Sequence, residues 1–292
     1  MNIDGGDAWT DLGDGILVRQ SKAFAMNSVV LANTEHTILV DPGIMPSEMD
    51  DLAGLVREAE PGETTLFFTH AHWDHVLGRP WWPKAKTLAH DRFAAEVKAE
   101  RASILADIEN LAEEHGERWT KGFEPFAPDL AVSGLKFLPL GPWRLVLRDA
   151  PGHSSSQLSC HLADHSLLLA ADMLSDIEPP ILDGPCAPYR STLEALQLLA
   201  QNGAIETLIP GHGSIARGRE AVLARFRTDL GYLDTLERGV REAKTKGQSL
   251  EAVQQALAAM DYTAKHSAPE WVGPFHKENI RFAYEGVNPP RR

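Results

Sequence analysis

The residues best suited to chemistry fall in one short run, Thr69-His70-Ala71-His72-Trp73-Asp74-His75. Imidazoles and carboxylates are the ligands from which catalytic zinc sites are built. In extended chain, residues two apart point the same way, so His70 and His72 can share one cation. A turn into a helix then swings Asp74 and His75 toward a second cation beside the first. The chain has 12 histidines in 292 residues. At that frequency four such residues at fixed positions arise by chance on the order of once in a thousand chains. Each ion needs further ligands, and the chain supplies them. His153 and His212 each close a Pro-Gly-His turn after an apolar run, and Asp172 follows the apolar run Leu167–Ala171. A carboxylate has two oxygens, so Asp172 can bridge two ions. Asp41-Pro42-Gly43 ends another apolar run in a similar way.

Such side chains need rigid elements behind them. Short aliphatic and β-branched runs predict strands at Ile16–Arg19, Ser28–Ala32, Thr37–Asp41 and Thr65–Phe68. Ser47–Glu60 has helical spacing of Met49, Leu52, Leu55 and Val56, which makes it a crossover helix. Asp91–His115 reads as one long amphipathic helix ending at Gly116, followed by the loop Gly122–Asp129. Strands return at Leu135–Leu138, Arg144–Arg148, Leu158–Leu162 and Ser166–Ala170, and a Pro-rich loop runs from Glu178 to Pro188. A helix at Ser191–Asn202 and a strand at Thr207–Ile209 precede three helices, Arg217–Lys246, Ser249–Met260 and His276–Glu285. The expectation is one α/β domain over 1–215, with a helical insertion at about 90–130, and a helical extension over 216–292 packed on it.

Hydrophobic residues make up 43% of the chain and charged residues 24%, ordinary values for a globular protein with a sizeable core. The formal net charge of −13 opposes nucleic acid and anionic membrane surfaces as partners. No long apolar run reads as a membrane span, and the start of the chain lacks a signal-peptide core, which together predict a cytoplasmic protein. Cys160 and Cys186 have no paired spacing and read as reduced, packed thiols. The expected partner is a small-molecule substrate, and a homo-oligomer is compatible with the sequence.

In order and spacing, Asp41, His70-x-His72-x-Asp74-His75, His153, Asp172 and His212 resemble the motifs of the metallo-β-lactamase superfamily over about residues 15–215. The resemblance implies an αββα sandwich. It also implies that His70, His72 and His153 hold one metal, Asp74, His75 and His212 a second, and that Asp172 bridges them. Asp41 is then expected behind the ligands, orienting a histidine. The implied cofactors are two divalent ions, zinc first, with iron or manganese also compatible with these donors. The implied reaction is hydrolysis of an ester, thioester or lactone by a metal-bridging hydroxide, with Asp74 accepting or relaying the water's proton. Departures narrow the branch. Asp172 stands where some zinc β-lactamases have cysteine, and Ser175 stands where quorum-quenching lactonases have tyrosine. Glyoxalase II enzymes share the ligands, yet no basic glutathione-binding set is found in Arg217–Arg292. Phosphodiester hydrolysis or nuclease action remains an alternative, as does mononuclear iron chemistry of the persulfide dioxygenase type using His70, His72, His153 and Asp172. A non-catalytic module predicts lost ligands, and none is lost.

Trp81, Trp82, Trp119, Phe123 and Phe126 read equally as an apolar lid or as packing under the insertion helix. Tyr189 and the loop before it are candidates to line a pocket. His36, His90, His115, His161, His165, His266 and His276 read as ordinary surface or hydrogen-bonded histidines. With Trp271, Asn279 and Tyr284, His266 and His276 mark a segment expected to dock on the sandwich.

Overall fold

The computed structural model describes residues 8–260 and 270–286. It is mixed α/β, with two sheets and seven α-helices among the described residues, the class expected from the sequence. Two compact units are present. Of the described residues, one takes 8–149 with Ser156–His165, the other Ala150–Ser155 with 166–260 and 270–286.

The first unit holds a seven-stranded sheet in chain order: β1 (Trp9–Asp11), β2 (Ile16–Gln20), β3 (Asn27–Leu31), β4 (His36–Val40), β5 (Glu63–Phe67), β6 (Lys86–His90) and β7 (Leu130–Val132). β3 and β4 are buried along their whole length, as their unbroken apolar runs require. β1 to β4 pair antiparallel, whereas β4 to β7 pair parallel. Parallel neighbours need crossovers. Helix α1 (Pro46–Ala59) provides one, burying Met49, Leu52 and Val56. The turns carrying Asp41 and His70 therefore leave the carboxyl ends of adjacent parallel strands, where α/β proteins mount their sites.

The single helix expected over Asp91–His115 is two, α2 (Phe93–Ala99) and α3 (Arg101–Glu114). The break falls at Glu100, whose backbone opens to φ −86° and ψ 2°, although its N–H still donates to the Glu96 carbonyl and its own carbonyl still accepts from the Ile104 N–H. Trp82 and Phe123 are buried in this unit's core, and Trp81, Trp119 and Phe126 pack against it. The unit also contains the antiparallel strands β8 (Leu135–Leu140), β9 (Trp143–Asp149) and β10 (Leu158–Leu162).

In the second unit β11 (Leu167–Leu169) pairs parallel with β12 (Thr207–Ile209), which pairs antiparallel with β13 (Ala216–Arg217). Helix α4 (Cys186–Gln201) is the crossover. It begins earlier than the expected Ser191, because Pro188 falls in the first turn, where its missing N–H costs nothing. Helices α5 (Arg219–Thr245), α6 (Leu250–Leu257) and α7 (Gly273–Gly286) bury Phe226, Leu233, Val253 and Ile280 with Leu193 and Leu196 of α4. His266 lies outside the described residues. No described helix is long and apolar enough to cross a membrane.

Candidate metal centre

In the first unit the site begins at Asp41, which follows β4 in a left-handed conformation (φ 43°) and is buried. The Ser28 hydroxyl donates to its carbonyl (2.8 Å) and accepts from the Gly43 N–H (2.6 Å), which holds the turn. Asp41 Oδ1 accepts from the Thr69 N–H at 2.7 Å. Its Oδ2 accepts from the Thr69 hydroxyl at 2.6 Å and from His75 Nδ1–H at 2.9 Å. With the Thr69 proton committed to Asp41, the Thr69 oxygen accepts from His70 Nδ1–H at 3.0 Å. One carboxylate thus sets two rings in the same tautomer, each with its lone pair on Nε2.

The His70 ring centroid lies 4.6 Å from that of His72 and 4.2 Å from that of His75. Asp74 Oδ2 is 3.6 Å from His75 Nε2. His70, His75 and Asp74 are buried. Asp107 of α3 responds to these residues: burial, and then the negative charge of Asp74, raise its pKa above the usual carboxylate value.

In the second unit His153 sits in the turn after β9. The Thr192 hydroxyl donates to the Pro151 carbonyl (2.9 Å) and the Asp183 N–H to the Gly152 carbonyl (2.8 Å). Gly152 adopts φ 132°, and a Cβ there would strike the Tyr189 backbone, so the Pro-Gly-His turn requires glycine. His153 Nδ1–H donates to the Ile181 carbonyl at 3.0 Å. Asp172, leaving β11, brings Oδ2 to 3.2 Å from His153 Nε2 and 3.4 Å from His212 Nε2. In the other Pro-Gly-His turn, a Cβ on Gly211 would overlap Asp172 Oδ1.

Asp176 steadies the turn after His212. It accepts from the Ser214 N–H at 2.8 Å and from the Ser214 hydroxyl, and it pairs with Arg225 at 3.2 Å. Arg225 also donates to the Leu174 and Ser214 carbonyls. Tyr189, a candidate pocket residue from the sequence, is buried and donates to the Asp172 carbonyl at 3.3 Å. Burial and the charges of Asp229, Glu178 and Asp172 raise its pKa well above that of an ordinary phenol, so it stays a donor.

These donors fit a transition metal. With Nδ1 at the Ile181 carbonyl, His153 turns Nε2 toward the Asp172 carboxylate at 3.2 Å, where His212 Nε2 also lies at 3.4 Å. Imidazole nitrogens gathered on one carboxylate oxygen are the donor types of a transition-metal site. His70, His72, Asp74 and His75 in one unit and His153, Asp172 and His212 in the other are thus histidine and aspartate groups able to bind metal. Sequence reasoning missed Thr69, Asp107, Asp176, Arg225 and the Ile181 carbonyl. Thr69 alone had a local signal, its place beside the histidine run.

The sequence model described as the metallo-beta-lactamase superfamily matches residues 22–212. The human acyl-coenzyme A thioesterase MBLAC2 is 24% identical over 227 residues, covering 70% of this chain and 80% of that one. The probable metallo-hydrolase YqgX of Bacillus subtilis (strain 168) is 25% identical over 154 residues, 51% of this chain and 65% of that one. Among solved structures, a metallo-beta-lactamase family protein from Thermus thermophilus superposes with a TM-score of 0.60 at 21% identity, covering 94% of this chain and 91% of that one. The stereoselective inverting sec-alkylsulfatase Pisa1 from Pseudomonas sp. gives a TM-score of 0.68 at 13% identity. That match covers 95% of this chain and 50% of the sulfatase, so this chain spans half its length.

Proposed function

This chain belongs to the metallo-beta-lactamase superfamily and is an enzyme of its hydrolase type, and we propose that it cleaves a small-molecule thioester, or a related ester or lactone. In this reading His70, His72 and His153 would hold one divalent ion, Asp74, His75 and His212 would hold another, and the Asp172 carboxylate would be shared. The sets His70, His72, His153, Asp172 and Asp74, His75, His212 each have the donor types an ion needs. Zinc is the proposed metal for such nitrogen and oxygen donors. The bound ions would supply a water of lowered pKa as nucleophile and would polarise the carbonyl it attacks.

The chain's own residues do the rest. Asp41 holds His75 directly and His70 through Thr69, each with the Nε2 lone pair as donor. The Ile181 carbonyl does the same for His153. We assign Asp74, whose Oδ2 lies 3.6 Å from His75 Nε2, the nucleophile's proton.

The observation that carries the metal reading is the convergence of His153 Nε2 and His212 Nε2 on Asp172 Oδ2, at 3.2 and 3.4 Å. The thioester preference is supported by the similarity to proteins named acyl-coenzyme A thioesterases. A net charge of −13 disfavours polyanionic substrates such as nucleic acid. The cytoplasm is the proposed setting, in keeping with two buried cysteines that form no disulfide.

The test is a panel of acyl-coenzyme A thioesters, simple esters, lactones and phosphodiesters offered to zinc-loaded protein. Thioesters should turn over fastest, activity should vanish with a chelator, and added zinc should restore it. Turnover of phosphodiesters alone, or activity indifferent to the chelator, overturns the proposal.

A further inference from the structure

We propose that Asn279, on the C-terminal helix α7, is a positioning residue for His153 and so sets how tightly the metal held by that histidine is bound. The inference rests on the metal reading above, although the contact that carries it belongs to the protein alone.

His153 takes its tautomer from one acceptor, the Ile181 carbonyl at 3.0 Å. That carbonyl lies in a stretch without regular secondary structure, between Asp176 and the start of α4. Such a stretch has no ladder of its own to hold one peptide in place. Asn279 grips it on both sides of Ile181. Its Oδ1 accepts from the Leu182 N–H at 3.0 Å, and its Nδ2 donates to the Pro180 carbonyl at 2.5 Å. The two peptide planes that flank the Ile181 Cα are therefore both bonded to one side chain, which is fully buried.

The grip is itself oriented. Asn279 Nδ2 also donates to the Tyr232 oxygen at 2.7 Å. The Tyr232 hydroxyl then gives its proton to His276 Nδ1 at 2.9 Å, and His276 Nε2–H donates to the Leu257 carbonyl at 3.0 Å. Burial lowers the His276 pKa, so the ring stays neutral and keeps Nδ1 as an acceptor. Every proton in the relay has one direction, which fixes the amide of Asn279 with oxygen toward Leu182 and nitrogen toward Pro180. An ordinary core position would take an apolar side chain here. A buried amide satisfied on both ends is suited to holding a loop in one conformation.

Removing the amide leaves the Leu182 N–H and the Pro180 carbonyl buried without their partner, and the Ile181 peptide is then free to rotate away from His153. Histidines that lose the acceptor behind them typically lose about 10- to 100-fold in metal affinity. The experiment uses full-length protein. Zinc affinity is measured by chelator competition in wild type, Asn279→Ala, Tyr232→Phe and Ile280→Ala, and the His153 Nδ1–H proton is followed by NMR. Ile280 is the neighbouring buried apolar residue on α7, with no hydrogen bond to the loop, and reports a purely structural loss.

Asn279→Ala should weaken one zinc by about 10- to 100-fold and bring its His153 ring proton into rapid exchange. Tyr232→Phe should shift both readouts the same way and less, which keeps the test alive should Asn279→Ala fail to fold. Ile280→Ala should lower the melting temperature and leave both readouts unchanged. Unchanged zinc affinity and ring-proton protection in Asn279→Ala, or an equal loss in Ile280→Ala, overturns the inference. Should wild type bind no zinc, the metal reading fails by itself, while the ring proton still decides whether Asn279 positions His153.

Discussion

Replacing Asp41 by asparagine changes one atom and should disturb two histidines at once. The carboxylate accepts three hydrogen bonds, from the Thr69 N–H, the Thr69 hydroxyl and His75 Nδ1–H. An amide has one oxygen and one nitrogen to put in their place. With its nitrogen at the Oδ2 position, it faces His75 as a donor and forces that ring to accept on Nδ1, which moves the proton to Nε2. The Thr69 hydroxyl, no longer able to donate to Asp41, turns toward His70 and does the same there. With its nitrogen at the Oδ1 position, the amide meets the buried Thr69 N–H donor to donor. Either way at least one hydrogen bond to a charged acceptor is lost, about 1.5–3 kcal/mol of stability. Because a ring with its proton on Nε2 cannot ligate through that atom, zinc affinity should fall by about 10- to 100-fold. His70 and His75 belong to different sets, so both ions should weaken. Scanning calorimetry of the chelated protein gives the first quantity and two-step chelator competition the second. Asp41→Asn that binds both zincs within twofold of wild type would refute the tautomer argument.

Zinc content near two ions per chain is expected in wild type, and Asp172→Asn should retain the circular dichroism spectrum while losing about one ion and nearly all turnover; an active, fully loaded variant removes Asp172 as the bridge. His153→Ala and His212→Ala should each bind less metal yet unfold cooperatively, because the apolar cores contain neither residue; loss of the folded state in both would make the site structural. Asp229 offers a pH test. Burial lifts its carboxyl to about 8, with the Leu174 N–H and Arg225 pulling it partly back. Its folded pKa lies above the unfolded value near 4, so the folded state binds the extra proton. The Asp229 contribution to stability is therefore fullest in acid and declines as pH rises from about 4 to 8. Asp229→Asn should flatten that decline and raise the melting temperature more at pH 9 than at pH 5, and an equal gain at both would count against a raised carboxyl.

Strand positions were legible where one residue pattern had one outcome. β3 and β4 are continuous apolar runs, and such runs go into the middle of a sheet. β6, with the sequence Lys-Thr-Leu-Ala-His, gave no comparable signal, yet it is buried over all but its first residue. Its pairing with β5 and β7 supplies what its composition does not. The break at Glu100 was hidden for the opposite reason. Local helix propensity runs through it unbroken, as do the backbone bonds on either side, and only the Glu100 dihedrals of φ −86° and ψ 2° depart from the helix.

The ligand candidates and their supports differ in legibility for a physical reason. A metal ligand must be one of a few residue types, so His70, His72, Asp74 and His75 betray themselves by type and spacing alone. A group that orients a ligand need only present an oxygen, and any peptide carbonyl can do so, as Ile181 does for His153. What holds that oxygen in place is then free to come from anywhere in the chain. Asp41 reaches Thr69 across 28 residues, Asp176 reaches Ser214 across 38, and Asn279 reaches Leu182 across 97. None of these partners has a spacing that a motif can encode, since folding alone brings them together. Asp41 was readable because it ends a strand in a Pro-Gly turn and because it holds the first place in the motif order that resembles the metallo-β-lactamase superfamily. Asn279 sits mid-helix, where asparagine is a poor choice for helix stability. An unfavourable residue buried in the middle of a helix is a sign that its side chain is needed elsewhere, and here it is needed at the loop that faces His153.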